Sequence, residues 1–224
     1  MAQIYFKKLG VSAGIIVVLE REMIMVTEHI LVVIFWLLFG IWHSLLALPV
    51  VKRKAAAWMG RHFTWYRPIY SVIAFIQTAF ILIYQFSVDS IYLWQNGPGA
   101  TSFFTISAIG GLVVMGVSIK KYVFNFTKKE PVLETTGLHE YIRHPLYGGT
   151  FLFAWSLFLL FPMLSYLLSC TCITVYTLVG IQLEEKKLAG LFGQRYRVYK
   201  NNVPMIIPFI KFGRLSKPVS DKLS

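Results

Sequence analysis

The chain has 224 residues, of which 56% are apolar and only 14% are charged, and its formal net charge is +12. This balance excludes a disordered chain and does not fit a soluble domain, and the length allows one or two domains. The long uncharged runs predict an all-α, polytopic helical membrane protein with about five transmembrane helices. Lysines and arginines stand in short clusters beside these runs, so they indicate a lipid bilayer surface as partner and no nucleic acid.

Residues 1–26 are predicted to form an N-terminal extension or an interfacial helix. The apolar run at residues 9–19 is too short to cross a bilayer, and the charged residues 20–22 are expected to end it. A signal peptide fits less well, because no small-residue cleavage site follows convincingly.

Three membrane spans and a cytoplasmic link are expected in residues 27–134. The spans run from about Ile30 to Val51, from Pro68 to Phe86 and from Phe103 to Ile119. Basic clusters follow the first and third spans, whereas the loop at residues 89–101 has no lysine or arginine. The positive-inside rule therefore places the clusters on the cytoplasmic side, which we expect to be that of a bacterial inner membrane.

A C-terminal helical hairpin is predicted within residues 135–208, followed by a cytoplasmic tail at 209–224. Two apolar runs are separated by a break at Phe161-Pro162, and Pro145 suits the first position of the first helix. The two arms measure roughly 25 and 33 Å, close to the thickness of a bilayer core. Residues 143–147 and 184–185 should therefore emerge together on one face.

The pair Glu184-Glu185 is unfavourable at the end of an apolar helix, because it faces the negative end of the helix dipole and loses hydration. A bound cation would compensate for this cost. The alternative is an ordinary salt-bridge set in which Arg143, Arg195 or Arg197 neutralises the glutamates. The Arg143-His144-Pro145 element at the facing helix start favours a functional site over that alternative.

The hairpin resembles the signature region of the membrane-embedded methyltransferases that include isoprenylcysteine carboxyl methyltransferase, phospholipid methyltransferases and methanethiol S-methyltransferase. The matching pieces are GLHEYIRHPLY at 137–147, LEEKKL at 183–188, FGQRYRVY at 192–199 and VPMIIP at 203–208. The N-terminal half is similar to the small-thiol branch through FGIWHSLLA at 39–47 and WYRPIYSVIAF at 65–75. An ordered series of this kind is far more specific than a single motif.

The resemblance implies S-adenosylmethionine as cofactor. In the family the contacts come from the HPxY element, the segment before it and one glutamate, which here are Val132, Leu133, His139, His144, Pro145, Leu146, Tyr147 and Glu184. His139 departs from the aromatic residue of the prenylcysteine enzymes. Taken alone, His144 could be a simple helix cap, and Gly148 and Gly149 could serve close helix approach or flexibility.

The expected catalytic residues are Arg143, Glu184 and Glu185. A glutamate would balance the cationic donor, and Arg143 would hold a carboxylate or a deprotonated acceptor. His43, Arg195 and Tyr196 are expected to contact the acceptor, whereas Lys200 is expected to belong to a solvated or lipid-binding face.

The acceptor is expected to be a small thiol or a lipophilic molecule. The prenylcysteine enzymes have an arginine about one turn before the glutamates, and Gly180 stands there in this chain. A neighbouring arginine or histidine would help by lowering the pKa of a thiol acceptor. Catalysis would otherwise depend on holding donor and acceptor in line.

A different class is a haem-associated membrane protein of the related nitrogen-oxide or carotenoid-isomerase type. In that case His43 together with His29, His62 or His139 could ligate iron. No metal site is otherwise predicted, since Cys170 and Cys172 lie two positions apart on a helix and point to different faces.

Overall fold

Apolar periodicity and proline positions determine the helices of this chain. The computed structural model describes residues 13–125 and 132–208, and all regular structure in these two stretches is helical. The elements are α1 (Ala13–Ala47), α2 (Pro49–Met59), a 3₁₀ helix (Gly60–Trp65), α3 (Tyr66–Ser87), α4 (Pro98–Asn125), α5 (Leu138–Tyr141), α6 (Pro145–Leu160) and α7 (Leu164–Asn202). The predicted all-α class is confirmed.

Several helices have the length and composition of membrane spans. In the described stretches four pass both criteria, namely Val17–Ala47, Pro49–Ser87, Pro98–Lys120 and Leu164–Asn202. Helix α6 is apolar but shorter, and its 16 residues extend roughly 24 Å. The chain is therefore a polytopic helical membrane protein. Its described residues contain four long spans and one short apolar helix, where about five spans were expected.

The first helix begins earlier than the sequence suggested. Helix α1 runs without interruption through residues 20–22, where the charges were expected to end the apolar run. Charged side chains limit burial in lipid, but glutamate and arginine are good helix formers and do not break the backbone. The helix ends at Ala47, before Val51, because Pro49 has no N–H to donate and instead begins α2.

The hairpin is confirmed, but its second arm continues well past Glu184. The first arm ends at Leu160, and α7 begins at Leu164 on the other side of Pro162. Helix α7 then extends to Asn202, with a break in helical geometry at Gly193 (φ 53°, ψ −123°). Because this backbone region is accessible mainly to glycine, Gly193 redirects the last residues of the helix.

The helices pack as two compact units. The first contains α1 to α3 and the beginning of α7 up to Cys172, and the second contains α4 to α6 and the remainder of α7. These units are defined by how the helices pack, whereas the four segments predicted from the sequence were divided by their expected roles. That division at residues 26, 134 and 208 stays a prediction.

In the first unit, the hairpin turn pairs with the loop that follows α3. The Leu93 N–H donates to the Pro162 carbonyl at 2.7 Å, and the Leu164 N–H donates to the Ile91 carbonyl at 3.0 Å. Within the same unit, the indole of Trp36 donates to Ser169 at 2.9 Å, and Ser169 donates to Gln85 at 2.5 Å. The buried indole of Trp36 and the buried hydroxyl of Ser169 thus both have hydrogen-bond partners.

In the second unit, α4 and α6 cross at two glycines. A Cβ atom added to Gly111 would lie 2.6 Å from the Phe153 nitrogen and 2.9 Å from the Gly149 carbonyl oxygen. A Cβ atom added to Gly149 would lie 2.9 Å from the Gly111 oxygen and 3.0 Å from the Met115 nitrogen. Close helix approach is therefore the role of Gly149, as in other membrane interfaces.

Candidate active site

The site forms where the residues before α6 meet the end of α7, within the second unit. The Arg143 N–H donates to the Pro204 carbonyl at 2.8 Å, and the His144 N–H donates to the Met205 carbonyl at 3.1 Å. His144 then serves as the N-terminal flanking residue of α6, with Pro145 at the first helical position. Two stretches some sixty residues apart in sequence are thereby fixed side by side.

A buried ion pair joins the two predicted motifs. Arg143 Nη2 and Nε donate to Glu185 Oε1 at 2.6 and 2.9 Å, and both side chains are about nine-tenths buried. Arg143 Nη1 also donates to the carbonyls of Lys200 at 2.8 Å and Val203 at 2.6 Å. These four bonds occupy four of the five guanidinium N–H groups. Arg143 is therefore better suited to a structural role than to capture of an acceptor carboxylate.

The other oxygen of Glu185 binds Lys200. The Lys200 ammonium donates to Glu185 Oε2 at 2.6 Å, and its side chain is half exposed. The expectation that Lys200 belongs to a solvated or lipid-binding face stays a prediction, and the pairing with Glu185 was not part of it. The salt-bridge alternative applies to Glu185, with Arg143 as the partner.

His144 lies between the two glutamates and is only 5% exposed. Its Nε2 is 3.4 Å from Glu185 Oε1, and its Nδ1 is 3.8 Å from Glu184 Oε2. Burial lowers the pKa of the His144 imidazole below its usual value, although the neighbouring carboxylates oppose this shift. The ring is therefore neutral at pH 7 and can accept a proton.

A cavity of about 170 Å³ opens beside these groups. A smaller cavity of about 40 Å³ shares four of its lining residues, namely His139, Arg143, His144 and Glu184. The larger cavity is further lined by Val132, Leu133, Glu134, Leu188, Tyr196 and Tyr199. The smaller one is further lined by Ser118, Pro145, Leu146 and Tyr147.

Every residue predicted to contact the cofactor lines one of these two cavities. Among the predicted catalytic residues, Arg143 and Glu184 line both cavities. Glu185 lines neither of them and instead accepts hydrogen bonds from Arg143. Of the residues expected to contact the acceptor, Tyr196 is buried and lines the larger cavity. Arg195 is exposed and lines neither, and His43 belongs to the first unit.

Sequence reasoning missed four lining residues. Tyr199 lies in the same FGQRYRVY piece as Tyr196, one helical turn later, and Leu188 follows Glu184 by one turn, so helical spacing could have identified both. Glu134 directly follows the predicted Val132-Leu133 pair. Ser118 of α4 carries no motif and could not have been found from the sequence.

The histidines proposed for haem do not form a pair within α1. His29 and His43 are fourteen positions apart on this single helix, which separates them by about 21 Å. Both ring nitrogens of His29 are also engaged, by the Met25 carbonyl at 2.6 Å and by Ser90 at 2.9 Å. In the described stretches, no group of three His, Cys, Asp or Glu residues is arranged to hold a metal ion.

Comparison with known proteins places this geometry in a family. A family profile described as "NnrU protein" matches residues 30–211, most of the chain. The chain belongs to the NnrU family. That description states no activity, so the named relatives are the more informative comparison for the site.

Several similar proteins of known name are methyltransferases. A methanethiol S-methyltransferase of Crocosphaera subtropica is 30% identical over 77% of this chain and 72% of its own length. Another, from Pseudomonas deceptionensis, is 26% identical over 78% of this chain and 70% of its own length. A protein-S-isoprenylcysteine O-methyltransferase of Schizosaccharomyces pombe is 34% identical over 44% of this chain and 42% of its own length.

No solved structure matches the chain. The named relatives nevertheless agree with the family resemblance carried by the hairpin motifs. Together with the long apolar helices, they assign this NnrU-family chain to the membrane methyltransferases.

Proposed function

We propose that this chain is an S-adenosylmethionine-dependent methyltransferase that methylates a small thiol or another small lipophilic acceptor. The observation that carries the proposal is the cavity between the start of α6 and the end of α7, in which Glu184, His144 and Tyr196 converge. Each of these residues belongs to a motif shared with membrane methyltransferases.

The chemistry of the cavity suits that cofactor. S-adenosylmethionine supplies an activated methyl group on a sulfonium sulfur and carries an amino acid and an adenine. The lining includes the acids Glu134 and Glu184, while the positive charge of Arg143 is already balanced by Glu185. An excess of negative charge in a partly dry pocket favours a cation, and Leu133 and Leu188 provide apolar surface for a purine.

These residues can support methyl transfer mainly by positioning the reactants and by stabilising charge. Glu184 would stabilise the cationic ligand in the pocket. The neutral imidazole of His144 would take the proton of a thiol, and the carboxylates at 3.4 and 3.8 Å would then stabilise the imidazolium. Free thiols are largely protonated at pH 7, so a base at this position would raise the thiolate fraction.

The small-thiol acceptor is supported by the extent of the similarities. Three of the relatives named for methanethiol align with about three quarters of this chain, whereas two prenylcysteine enzymes align with less than half. The uncharged Gly180 before Glu184 also offers no group for an acceptor carboxylate. We further propose that the site faces the cytoplasm of a bacterial cell, because the basic clusters flank the same ends of the spans.

The test is to incubate the purified protein with methyl-labelled S-adenosylmethionine and a panel of acceptors: methanethiol, longer alkanethiols, a prenylcysteine and phosphatidylethanolamine. We expect the label in the small thioethers, with loss of transfer in Glu184→Gln. Absence of transfer to every acceptor, or stoichiometric haem in a protein that transfers no methyl group, would contradict the proposal.

A further inference from the structure

The last part of α7 forms one wall of the cavity. Residues 194–206, the C-terminal strap, begin directly after the break at Gly193. Tyr196, Tyr199 and Val203 of the strap are at most 5% exposed and pack against Leu133 and Leu188, both of which line the cavity. Tyr196 and Tyr199 thus line the cavity on the side of the strap, and the cavity could not keep its present shape if the strap moved.

Hydrogen bonds hold the strap to the residues that precede α6. Its carbonyls at Pro204 and Met205 accept from the backbone N–H groups of Arg143 and His144. The Tyr199 hydroxyl donates to the His139 carbonyl at 2.7 Å. All of these contacts lie within the second unit. Together they hold the strap against residues 139–144, an arrangement that we call the closure.

The cavities are small for a ligand of cofactor size. The two cavities measure about 170 and 40 Å³. Pockets for ligands of cofactor size are usually about 300 Å³ or larger. Outward movement of part of the wall would make room for a molecule as large as S-adenosylmethionine, and the strap is a part of the wall that follows a glycine at positive φ.

Resting on the proposed function, we infer that Lys200 is a positioning residue whose ion pair with Glu185 holds the strap closed and slows the exchange of cofactor and product. Glu185 is the shared anchor, since one oxygen binds Arg143 and the other binds Lys200. Arg143 comes from the fixed side and Lys200 from the strap. The pair therefore connects the wall to the helix start, and Lys200 itself lines neither of the two cavities.

The exposure of Lys200 sets the expected size of the effect of removing this ion pair. Its side chain is 49% exposed, so solvent screens the pair, and its removal should change a rate by about fivefold rather than unfold the strap. The buried Arg143 contacts remain in the variant. The strap should open more often and stay folded between openings.

The test compares Lys200→Gln with Lys200→Arg and with the control Lys187→Gln. Lys187 is an exposed lysine of the same helix, before the Gly193 break. We expect Lys200→Gln to speed the dissociation of S-adenosylhomocysteine about fivefold and to raise KM for S-adenosylmethionine without lowering kcat. Arginine at position 200 should restore both values, and the control should match the unmodified protein.

Hydrogen–deuterium exchange of the protein without cofactor gives an independent readout. The amides of Arg143 and His144 should exchange faster in Lys200→Gln than in Lys187→Gln, because their acceptors lie on the strap. Equal exchange and equal dissociation in the two variants would overturn the inference. A protein that shows the exchange difference but binds no cofactor would instead refute the proposed function and leave the closure intact.

Discussion

Glu184 and Glu185 are neighbours in sequence but differ in their surroundings. Glu184 lines both cavities, whereas Glu185 is bound by Arg143 and Lys200. Removing the charge of Glu185 leaves the buried Arg143 guanidinium without its counter-ion. We expect Glu185→Gln to destabilise the fold by about 2 kcal/mol.

Thermal unfolding in detergent measures this effect, with Glu184→Gln as the matched control. The Glu184 variant should unfold within about a degree of the unmodified protein. If Glu184→Gln proved the more destabilising of the two, the assignment of Glu185 as the structural acid would be wrong.

His144 should make stability depend on pH. Burial lowers its pKa in the folded state, so the unfolded chain binds this proton more readily. The free energy of unfolding should therefore fall as the pH drops below about 6.5, the usual pKa of histidine. Unfolding midpoints at pH 8.0 and 5.5 check this, because the drop should be smaller in His144→Gln. An equal drop in both proteins would show that other groups cause it.

Single residues were predictable where a motif identified them. His144 and Glu184 follow from the RHP and EE elements. The Lys200 pair did not follow, because its partner lies fifteen positions earlier and the break at Gly193 sets the direction of the strap. A basic side chain in an amphipathic stretch is ordinarily solvated, and only the fold shows that this half-exposed lysine also binds Glu185.

Helix interiors were easier to predict than helix ends. Apolar runs and prolines located α3 within two residues and the hairpin break within one or two. The charged residues 20–22 misled the prediction of α1, since they signal where lipid burial is costly and not where a helix stops. The continuation of α7 past Glu184 was missed because the charged residues there were likewise taken as the end of the helix.

The crossing of α4 and α6 gives a test at the level of elements. We expect Gly111→Ala to destabilise the protein by about 1–3 kcal/mol, because its Cβ would overlap backbone atoms of Phe153 and Gly149. Gly110→Ala is the control, since nothing lies within 4 Å of a Cβ atom there. Unfolding midpoints should separate the two variants. Equal values would mean that the helices are not closely packed at this point.

The pairing of two connections bears on the arrangement in the membrane. The loop after α3 and the hairpin turn exchange backbone hydrogen bonds at Leu93 and Leu164, so they lie at the same end of the first unit. Both were predicted on the non-cytoplasmic side because they lack basic residues. The pairing agrees with that part of the predicted topology.

Cysteine labelling of intact cells tests this orientation. We expect a membrane-impermeant thiol reagent to label Gln95→Cys but not Lys54→Cys, in a background without Cys170 and Cys172. Position 95 lies in the loop at residues 89–101, which has no lysine or arginine, and position 54 belongs to the first basic cluster. Labelling of Lys54→Cys in intact cells would reverse the proposed orientation.

For the molecule as a whole, the central claim is that the cavity at the start of α6 binds the methyl donor through Glu184. The most direct measurement is calorimetric titration of S-adenosylhomocysteine into the purified protein and into Glu184→Gln. We predict saturable binding to the unmodified protein and at least a tenfold weaker affinity in the variant, with unfolding midpoints unchanged. Equal affinity in the two proteins, or no binding to either, would contradict the account.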